Sequence, residues 1–121
     1  MKTAENYVDG FVLPVAKKNL ADYKKMALLA KKVWLDHGAL DYVECMGDDV
    51  PMGKLTSFPQ SVKLKKGEVV FFSWATYKNR KHRDQVLKKV MADPRMQPSG
   101  KKMPFDGKRM FWGGFKTVVK A

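Results

Sequence analysis

A chain of 121 residues with 45% hydrophobic and 12% aromatic side chains has the size and apolar content of one folded domain over residues 1–121, which excludes a disordered chain. No run approaches the roughly 18 apolar residues that cross a bilayer, and the first residues lack the apolar core of a signal peptide, so no membrane partner is expected. The single cysteine, Cys45, excludes an intramolecular disulfide, and these features together predict a cytoplasmic protein.

The formal net charge is +12, because 24 Lys and Arg side chains outnumber 12 Asp and Glu. Only four of the basic residues are Arg, although proteins that hold phosphates or bases by two-point contacts favour Arg. Lysine pairs such as Lys24-Lys25 and Lys31-Lys32 are typical of a solvated surface. The charge allows non-specific nucleic-acid binding, with a solubilising surface as the favoured interpretation.

The first half of the chain predicts a strand, a helix and a second strand. Residues Tyr7 to Ala16 form a β-branched and aromatic run typical of a strand. Apolar residues then recur at steps of three and four from Leu20 to His37, which predicts a helix with Asn19 as its N-cap and Gly38 as its stop. Strand character returns from Ala39 to Gly47.

The second half predicts a strand, a helix and a final strand after a long polar connection. This connection extends from Asp48 to Gly67 and is long enough to be functional or mobile. The strand from Glu68 to Tyr77 is apolar almost throughout, which predicts burial on both of its faces. Asn79 is predicted to cap a helix over residues 80–92, and the last strand is predicted over residues 109–119.

The order strand, helix, strand, strand, helix, strand predicts an α+β fold of the ferredoxin-like βαββαβ kind. In that fold, two helices cover one face of a four-stranded antiparallel sheet. The other face would carry Phe72 and Trp74, or Phe71 in the other register, and is too apolar to remain in water. We therefore expect a homodimer in which two sheets pair face to face, as in a dimeric α/β barrel.

Several segments of the chain resemble a known bacterial family. They are Tyr7–Phe11 (YVDGF), Glu44–Pro51 (ECMGDDVP), Asp93–Met96 (DPRM), Met103–Met110 (MPFDGKRM) and Gly113–Phe115 (GGF). In this order they resemble the YbaA-like family, whose function is unknown. That family is similar to the dimeric α+β barrel superfamily, which includes small monooxygenases, isomerases and non-enzymatic binding proteins. The resemblance implies the fold and leaves open whether the protein is an enzyme.

Three carboxylates lie close together where the second strand enters the long connection. Glu44 belongs to the strand, and Asp48 and Asp49 follow it. Crowded carboxylates raise one another's pKa, which can create a general base. Turn formation is the favoured interpretation of Asp48 and Asp49, since Gly47 precedes them and a proline follows. For Glu44 the two readings are balanced, because an acid in an apolar strand needs a partner.

Arg95 and Arg109 are the arginines that lie within the family-like segments. Either could anchor an anionic ligand, and the favoured alternative is structural pairing with Glu44, Asp93 or Asp106. The pair Gly113-Gly114 suggests a bulge or a close approach of another group to the backbone.

No His or Cys pair has the spacing of metal ligands, so no metal site is predicted and no cofactor is assigned. His37 has a structural explanation at the end of the predicted helix, where a cation is favourable. Cys45 has no basic neighbour in sequence and is interpreted as a strand residue.

Two hypotheses for function follow. The favoured one is a small-molecule site inside the barrel, whether catalytic or only binding. Its residues are Glu44 and Asp48 for proton handling, Arg95 and Arg109 for anchoring, and Trp74 and Tyr77 for the pocket wall. The alternative is a protein that binds RNA, DNA or another polyanion through its basic surface.

Overall fold

Four strands and three helices follow one another along the described residues, 6–97 and 103–121, of the computed structural model. The strands are β1 (Tyr7–Ala16), β2 (Asp41–Met46), β3 (Glu68–Tyr77) and β4 (Phe111–Lys116), and the helices are α1 (Leu20–Asp36), α2 (Phe58–Ser61) and α3 (Arg80–Ala92). Short 3-10 turns precede α1 at Lys17–Asn19 and follow α3 at Pro94–Met96. None of the helices in this part of the chain combines the length and apolarity that a bilayer crossing requires.

The strands form one sheet in the order β2-β3-β1-β4, and every neighbouring pair is antiparallel. The central pair is β1 and β3, which are in register from Tyr7 opposite Tyr77 to Ala16 opposite Glu68. The α+β class predicted from the sequence is therefore present as a four-stranded antiparallel sheet with helices.

Side chains alternate across the sheet and so define two faces. The face toward α1 and α3, here called the helix side, carries Tyr7, Asp9 and Leu13 of β1 together with Phe71 and Tyr77 of β3. The opposite face, here called the open face, carries Val8, Gly10, Val12, Val43, Cys45, Phe72, Trp74, Phe111, Gly113 and Phe115.

The hydrophobic core lies between the sheet and the two long helices. One cluster joins Trp34 of α1 and Val86 and Val90 of α3 to Tyr77, and a second joins Tyr23 of α1 to the central strands. A smaller cluster lies on the open face, where Val62 and Leu64 cover one end of β1 and β3. On the rest of the open face, the Phe58 ring of α2 contacts the Phe72 ring with centroids 5.8 Å apart, yet Phe72 remains 44% exposed. Burial of β3 on both faces, as expected from its composition, is thus not seen in the single chain.

Local signals account for most helix ends. Gly38 adopts a φ of 110°, which non-glycine residues avoid, and it ends α1 as predicted. The Asn79 side chain accepts a hydrogen bond from the His82 backbone N–H at 2.8 Å and caps α3. Asn19 lies at the N-cap position of α1 as predicted, but its side chain makes no capping hydrogen bond, and the chain enters the helix through the 3-10 turn.

The structure also corrects the bounds of two strands and the content of the long connection. Strand β2 begins at Asp41 and ends at Met46, and β4 is confined to Phe111–Lys116, so both are shorter than predicted. Each lies at an edge of the sheet and has one neighbour, and the backbone N–H groups of Leu40 and Gly47, just beyond the two ends of β2, donate to Thr76 and Val70 of β3. The connection from Asp48 to Gly67 also contains the short helix α2, which Ser57 caps by accepting from the Gln60 N–H.

Candidate functional site

A cleft opens where β2 ends and β3 begins, next to the start of α1. Its volume is about 380 Å³, which lies within the range of small-molecule sites. We call it the β2 cleft. Its lining residues are Lys17, Leu20, Met46, Gly47, Asp48, Val50, Pro59, Leu64, Glu68, Val69 and Val70. The walls are mostly apolar, and Lys17 and Asp48 contribute exposed charges of opposite sign.

A second recess of about 590 Å³ lies beside the loop that precedes β4. Pro14, Ala16 and Asn19 form one side of it, and residues 103–108 form the other. Glu68 borders both this recess and the β2 cleft. Arg109, which donates hydrogen bonds to the Glu68 carboxylate, therefore influences the shape of both.

Glu44 extends from β2 to the helix side, where two tyrosines hold it. The Tyr23 hydroxyl donates to Oε1 at 2.7 Å, and the Tyr42 hydroxyl donates to Oε2 at 2.8 Å. Burial, followed by the charge of Glu44, raises the pKa of both tyrosines, so the two hydroxyls stay protonated and continue to donate. Within the described chain, Glu44 has no ion pair with Lys, Arg or His.

Asp48 and Asp49 lie in the exposed loop after β2. Asp48 lines the β2 cleft, whereas Glu44 points toward α1 and is not among the lining residues. The sequence-predicted acids are therefore at neighbouring positions but do not form a joint cluster. Gly47 lies between them, and its backbone N–H donates to the Val70 carbonyl at 2.7 Å, which fixes the floor of the cleft.

Arg109 is surrounded by protein acceptors. Its Nη1 and Nη2 donate to the two carboxylate oxygens of Glu68 at 2.8 and 2.6 Å, and its Nε donates to Asp106 at 2.9 Å. Nη1 also reaches the carbonyls of Val62 and Lys63. The Arg109 guanidinium lowers the pKa of Glu68 and of Asp106. This arginine ties the loop before β4 to the start of β3, and its role in anchoring a ligand stays a prediction.

Arg95 is held in the same way at the ends of α1 and α3. It donates to Asp93 through Nε at 3.1 Å and Nη2 at 2.7 Å, and to Asp36 through Nη1 at 2.8 Å. His37 Nε2 lies 2.7 Å from Asp93 as well. Hydrogen bonds from Arg95 and then His37 hold the pKa of Asp93 well below its usual range.

Trp74 and Tyr77 lie on opposite faces of β3. Trp74 is on the open face and stacks at a tilt against Phe72, with ring centroids 5.6 Å apart. Tyr77 is fully buried on the helix side, where its hydroxyl accepts a hydrogen bond from Trp34 Nε1 at 3.1 Å. The sequence predicts both Trp74 and Tyr77 in the wall of one pocket. Because they project to opposite faces of the sheet, a single pocket can be lined by one of them but not by both.

A buried ion pair that the sequence interpretation missed lies under α3. Asp9 of β1 is 0% exposed, and its Oδ1 accepts from Arg83 Nε at 3.1 Å. Its Oδ2 has no partner with hydrogen-bond geometry in the described chain. Burial raises the pKa of Asp9, and Tyr77 and Arg83 counteract part of that rise. The sequence did contain a signal for this pair. Asp9 lies two residues from Tyr7 and from Phe11, so an acid shares the inward face of an apolar strand with two aromatic side chains.

Gly114 makes room for this pair. Arg83 and the Tyr7 hydroxyl approach the position of a Gly114 Cβ too closely for any side chain. The close approach expected at Gly113-Gly114 is thus made by the chain itself, and the register of β1 with β4 continues without a bulge. Arg83 also lies over the Tyr7 ring at 5.0 Å.

Within residues 6–97 and 103–121, no group of three or more His, Cys, Asp or Glu side chains could hold a metal ion. Cys45 lies half-buried on the open face as a free thiol.

Comparison with known proteins decides the family. A family model described as a protein of unknown function (DUF1428) matches residues 6–107. The chain is 46% identical over 113 residues to the uncharacterized protein YbaA of Escherichia coli strain K12, which covers 93% of this chain and 97% of that protein. YbaA of Shigella flexneri matches to the same extent. The chain belongs to this YbaA-like family. The resemblance inferred from the sequence segments is confirmed, and the family has no assigned function.

Solved structures add little. The chain is similar to the de novo designed protein Foldit4, with a TM-score of 0.42, 9% identity and coverage of 96% and 99% of the two chains. It is also similar to part of AtUAH in complex with glyoxylate, with a TM-score of 0.31, 17% identity and coverage of 74% and 22%. Scores below 0.5 establish no relationship in fold.

Proposed function

We propose that this YbaA-like protein binds a small molecule in the β2 cleft and functions as a homodimer paired through the open faces of its sheets. The observation that carries the proposal is the cleft itself, an apolar recess of about 380 Å³ with Lys17 and Asp48 at its edge. Small-molecule sites combine an apolar wall with a few polar groups that orient the ligand.

The ligand that fits this cleft has an apolar body and a polar group. Leu20, Met46 and Val50 would contact the body, and removal of their surface from water favours binding. The Asp48 carboxylate would accept a hydrogen bond from the polar group. Glu44 extends from the same strand, but two tyrosine hydroxyls hold its carboxylate on the helix side, away from the cleft, so proton handling by Glu44 stays a prediction from the sequence.

The homodimer accounts for the open face. Phe72, Phe111 and Phe115 are 44%, 46% and 63% exposed on it, and its strand residues include no Lys or Arg. The chain carries a net charge of +12, so most of its surface would repel a second copy. The open face avoids this repulsion because its strands bring no lysine or arginine into the interface. Four strands about 4.8 Å apart and six residues rising about 3.3 Å each span roughly 19 by 20 Å. Such a face has a projected area of roughly 380 Å², about half of the roughly 800 Å² that each partner buries in a stable interface.

The strand order supports a more specific fold assignment. The order β2-β3-β1-β4 with α1 and α3 on one side is that of a ferredoxin-like subunit, and α2 is an addition within the long connection. Pairing of two such subunits would form a dimeric α/β barrel. Trp74 would then belong to the pairing face. A cytoplasmic location remains the prediction from the sequence.

The nucleic-acid alternative has weaker support. The aromatic side chains of the open face could stack on bases. Binding of a strand there also needs cations for the phosphates, and the strand residues of this face provide none.

A pair of adjacent substitutions tests the cleft. Amide chemical shifts of the ¹⁵N-labelled protein would be followed against small fragments that carry an amine, an alcohol or a carboxylate on the same apolar body. We expect shifts at Met46, Asp48 and Val50 with one of these series. Asp48→Asn should weaken that binding about tenfold, as the loss of a charged hydrogen bond does, while the control Asp49→Asn should not. No shifts in this region, or equal losses in both variants, would exclude the site.

A further inference from the structure

The solvent-facing side of α1 has an unusual distribution of lysine and leucine. We call this surface the Lys–Leu face. Its residues are Lys24, Lys25, Leu28, Lys31, Lys32 and Leu35, all of them exposed. Leu28 is 54% exposed and Leu35 41%, so apolar surface lies at the centre of a highly charged helix.

Helical geometry orders these side chains into three rows. Successive residues turn by about 100°, and seven residues return nearly to the same side. Leu28 and Leu35 therefore form a central ridge. One lysine row, Lys24 and Lys31, lies on one flank, and a second row, Lys25 and Lys32, lies on the other. The rows repeat after about 10.5 Å, and the core residues Tyr23, Ala27, Ala30, Val33 and Trp34 lie on the opposite side.

The lysines of this face retain their charge for a partner. Only Lys32 forms an ion pair in the described chain, with Asp36 at 3.7 Å. Asp36 is already bound by Arg95 at 2.8 Å. On α3, Lys81 and Lys88 are also exposed, and α3 packs on the same side of the sheet as α1. Lysines therefore outnumber the exposed acids Asp22, Asp36 and Asp84 on the outer surface of the helix layer.

We propose that the Lys–Leu face binds the surface of an anionic lipid bilayer. A helix that lies in the interface places apolar side chains among the acyl chains and extends lysines from both flanks to the headgroups. Charge alone would suit nucleic acid equally well, but phosphates offer nothing to Leu28 and Leu35. The ridge thus favours lipid. The expectation of no membrane partner concerned spanning segments, and a surface contact of this kind needs none.

The contact is compatible with the homodimer but does not depend on it. The helix layer and the open face lie on opposite sides of the sheet, so pairing of the open faces would leave the Lys–Leu face accessible in both copies.

Sedimentation of the full chain with phosphatidylcholine vesicles, with and without phosphatidylglycerol, tests the proposal. We expect binding only to the anionic vesicles. Each lysine near an anionic surface changes partitioning about fivefold, so Lys25→Gln with Lys32→Gln should lower it roughly 25-fold at low salt. Leu28→Gln with Leu35→Gln should also lower it, at unchanged charge. The control, Lys54→Gln with Lys66→Gln in the exposed loop, changes the net charge equally and should alter partitioning less than about twofold.

Three results would overturn the proposal. The first is no partitioning to anionic vesicles by the wild-type chain. The second is an equal loss in the loop control, since binding would then follow net charge and not this face. The third is an unchanged affinity in the leucine variant together with tight binding of duplex RNA or DNA that the Lys25 and Lys32 substitutions remove, which would assign the face to nucleic acid.

Discussion

Arg83 Nε donates to Asp9 Oδ1 at 3.1 Å and so connects helix α3 to the central strand β1. The carboxylate is 0% exposed and the arginine side chain only 13%. Two charges are thus withdrawn from water, and their mutual attraction must offset the desolvation of both. Loss of either partner leaves a buried charge without compensation.

Arg83→Met should lower the free energy of unfolding by about 3 kcal/mol, because Asp9 would remain buried without its cation. Urea denaturation measures the change. Arg80→Met on the same helix removes a 72% exposed arginine and should cost less than about 0.5 kcal/mol. Equal free energies of unfolding for the two variants would show that the ion pair of Arg83 with Asp9 contributes no more to stability than an exposed arginine does.

Gly114→Ala should destabilise the protein by about 2 kcal/mol, because the added methyl would displace Arg83 and the Tyr7 hydroxyl. Gly113→Ala is the matched control. Its Cβ would meet only the Phe115 ring, at 3.5 Å, an ordinary contact, so we expect a change below about 1 kcal/mol in thermal or urea unfolding. A smaller loss in Gly114→Ala than in Gly113→Ala would contradict the packing described around Arg83.

Stability should fall as the pH is lowered from about 5 toward 2. Arg95 or Arg109 lowers the pKa of four carboxyls, those of Asp36, Asp93, Glu68 and Asp106. The unfolded chain takes up protons near the ordinary values of 3.8 for Asp and 4.5 for Glu. It therefore binds more protons than the folded chain below those values, and acid favours unfolding.

Asp9 acts in the opposite direction. Burial raises its pKa in the folded state, so the folded chain binds the proton first and this residue's contribution improves as the pH falls. We expect the four lowered carboxyls to dominate. Asp93→Asn should flatten the dependence of the unfolding free energy on pH in urea titrations across this range, and a slope equal to that of the wild type would refute the role assigned to Asp93.

The extent of the central elements could be predicted closely from the sequence. Strands β1 and β3 match the predicted apolar runs, and helix α3 begins and ends where predicted because Asn79 and the Asp93-Pro94 pair interrupt the helical pattern sharply. The edge strands were less predictable. Their ends depend on which backbone groups find a partner in the neighbouring strand, and no local residue encodes that.

The partners of the charged residues could be predicted only in part. Structural pairing of Arg95 and Arg109 with Glu44, Asp93 or Asp106 was the favoured interpretation, without a specific assignment, and the structure pairs Arg95 with Asp93 and Arg109 with Asp106. The contact of Arg109 with Glu68 spans 41 residues and depends on how the loop before β4 folds back. Glu44 needed a partner, as expected, but its partners are neutral tyrosines, one of them from α1.

The oligomeric state in solution tests the central claim most directly. Size-exclusion chromatography with light scattering should give twice the 13.8 kDa of the chain for the wild type. Phe72→Asp, in the middle of the open face, should give the monomer with its helices intact by circular dichroism, while Met91→Asp on the exposed side of α3 should remain a dimer. A wild-type monomer, or a dimer that Phe72→Asp leaves unchanged, would contradict the pairing of the open faces.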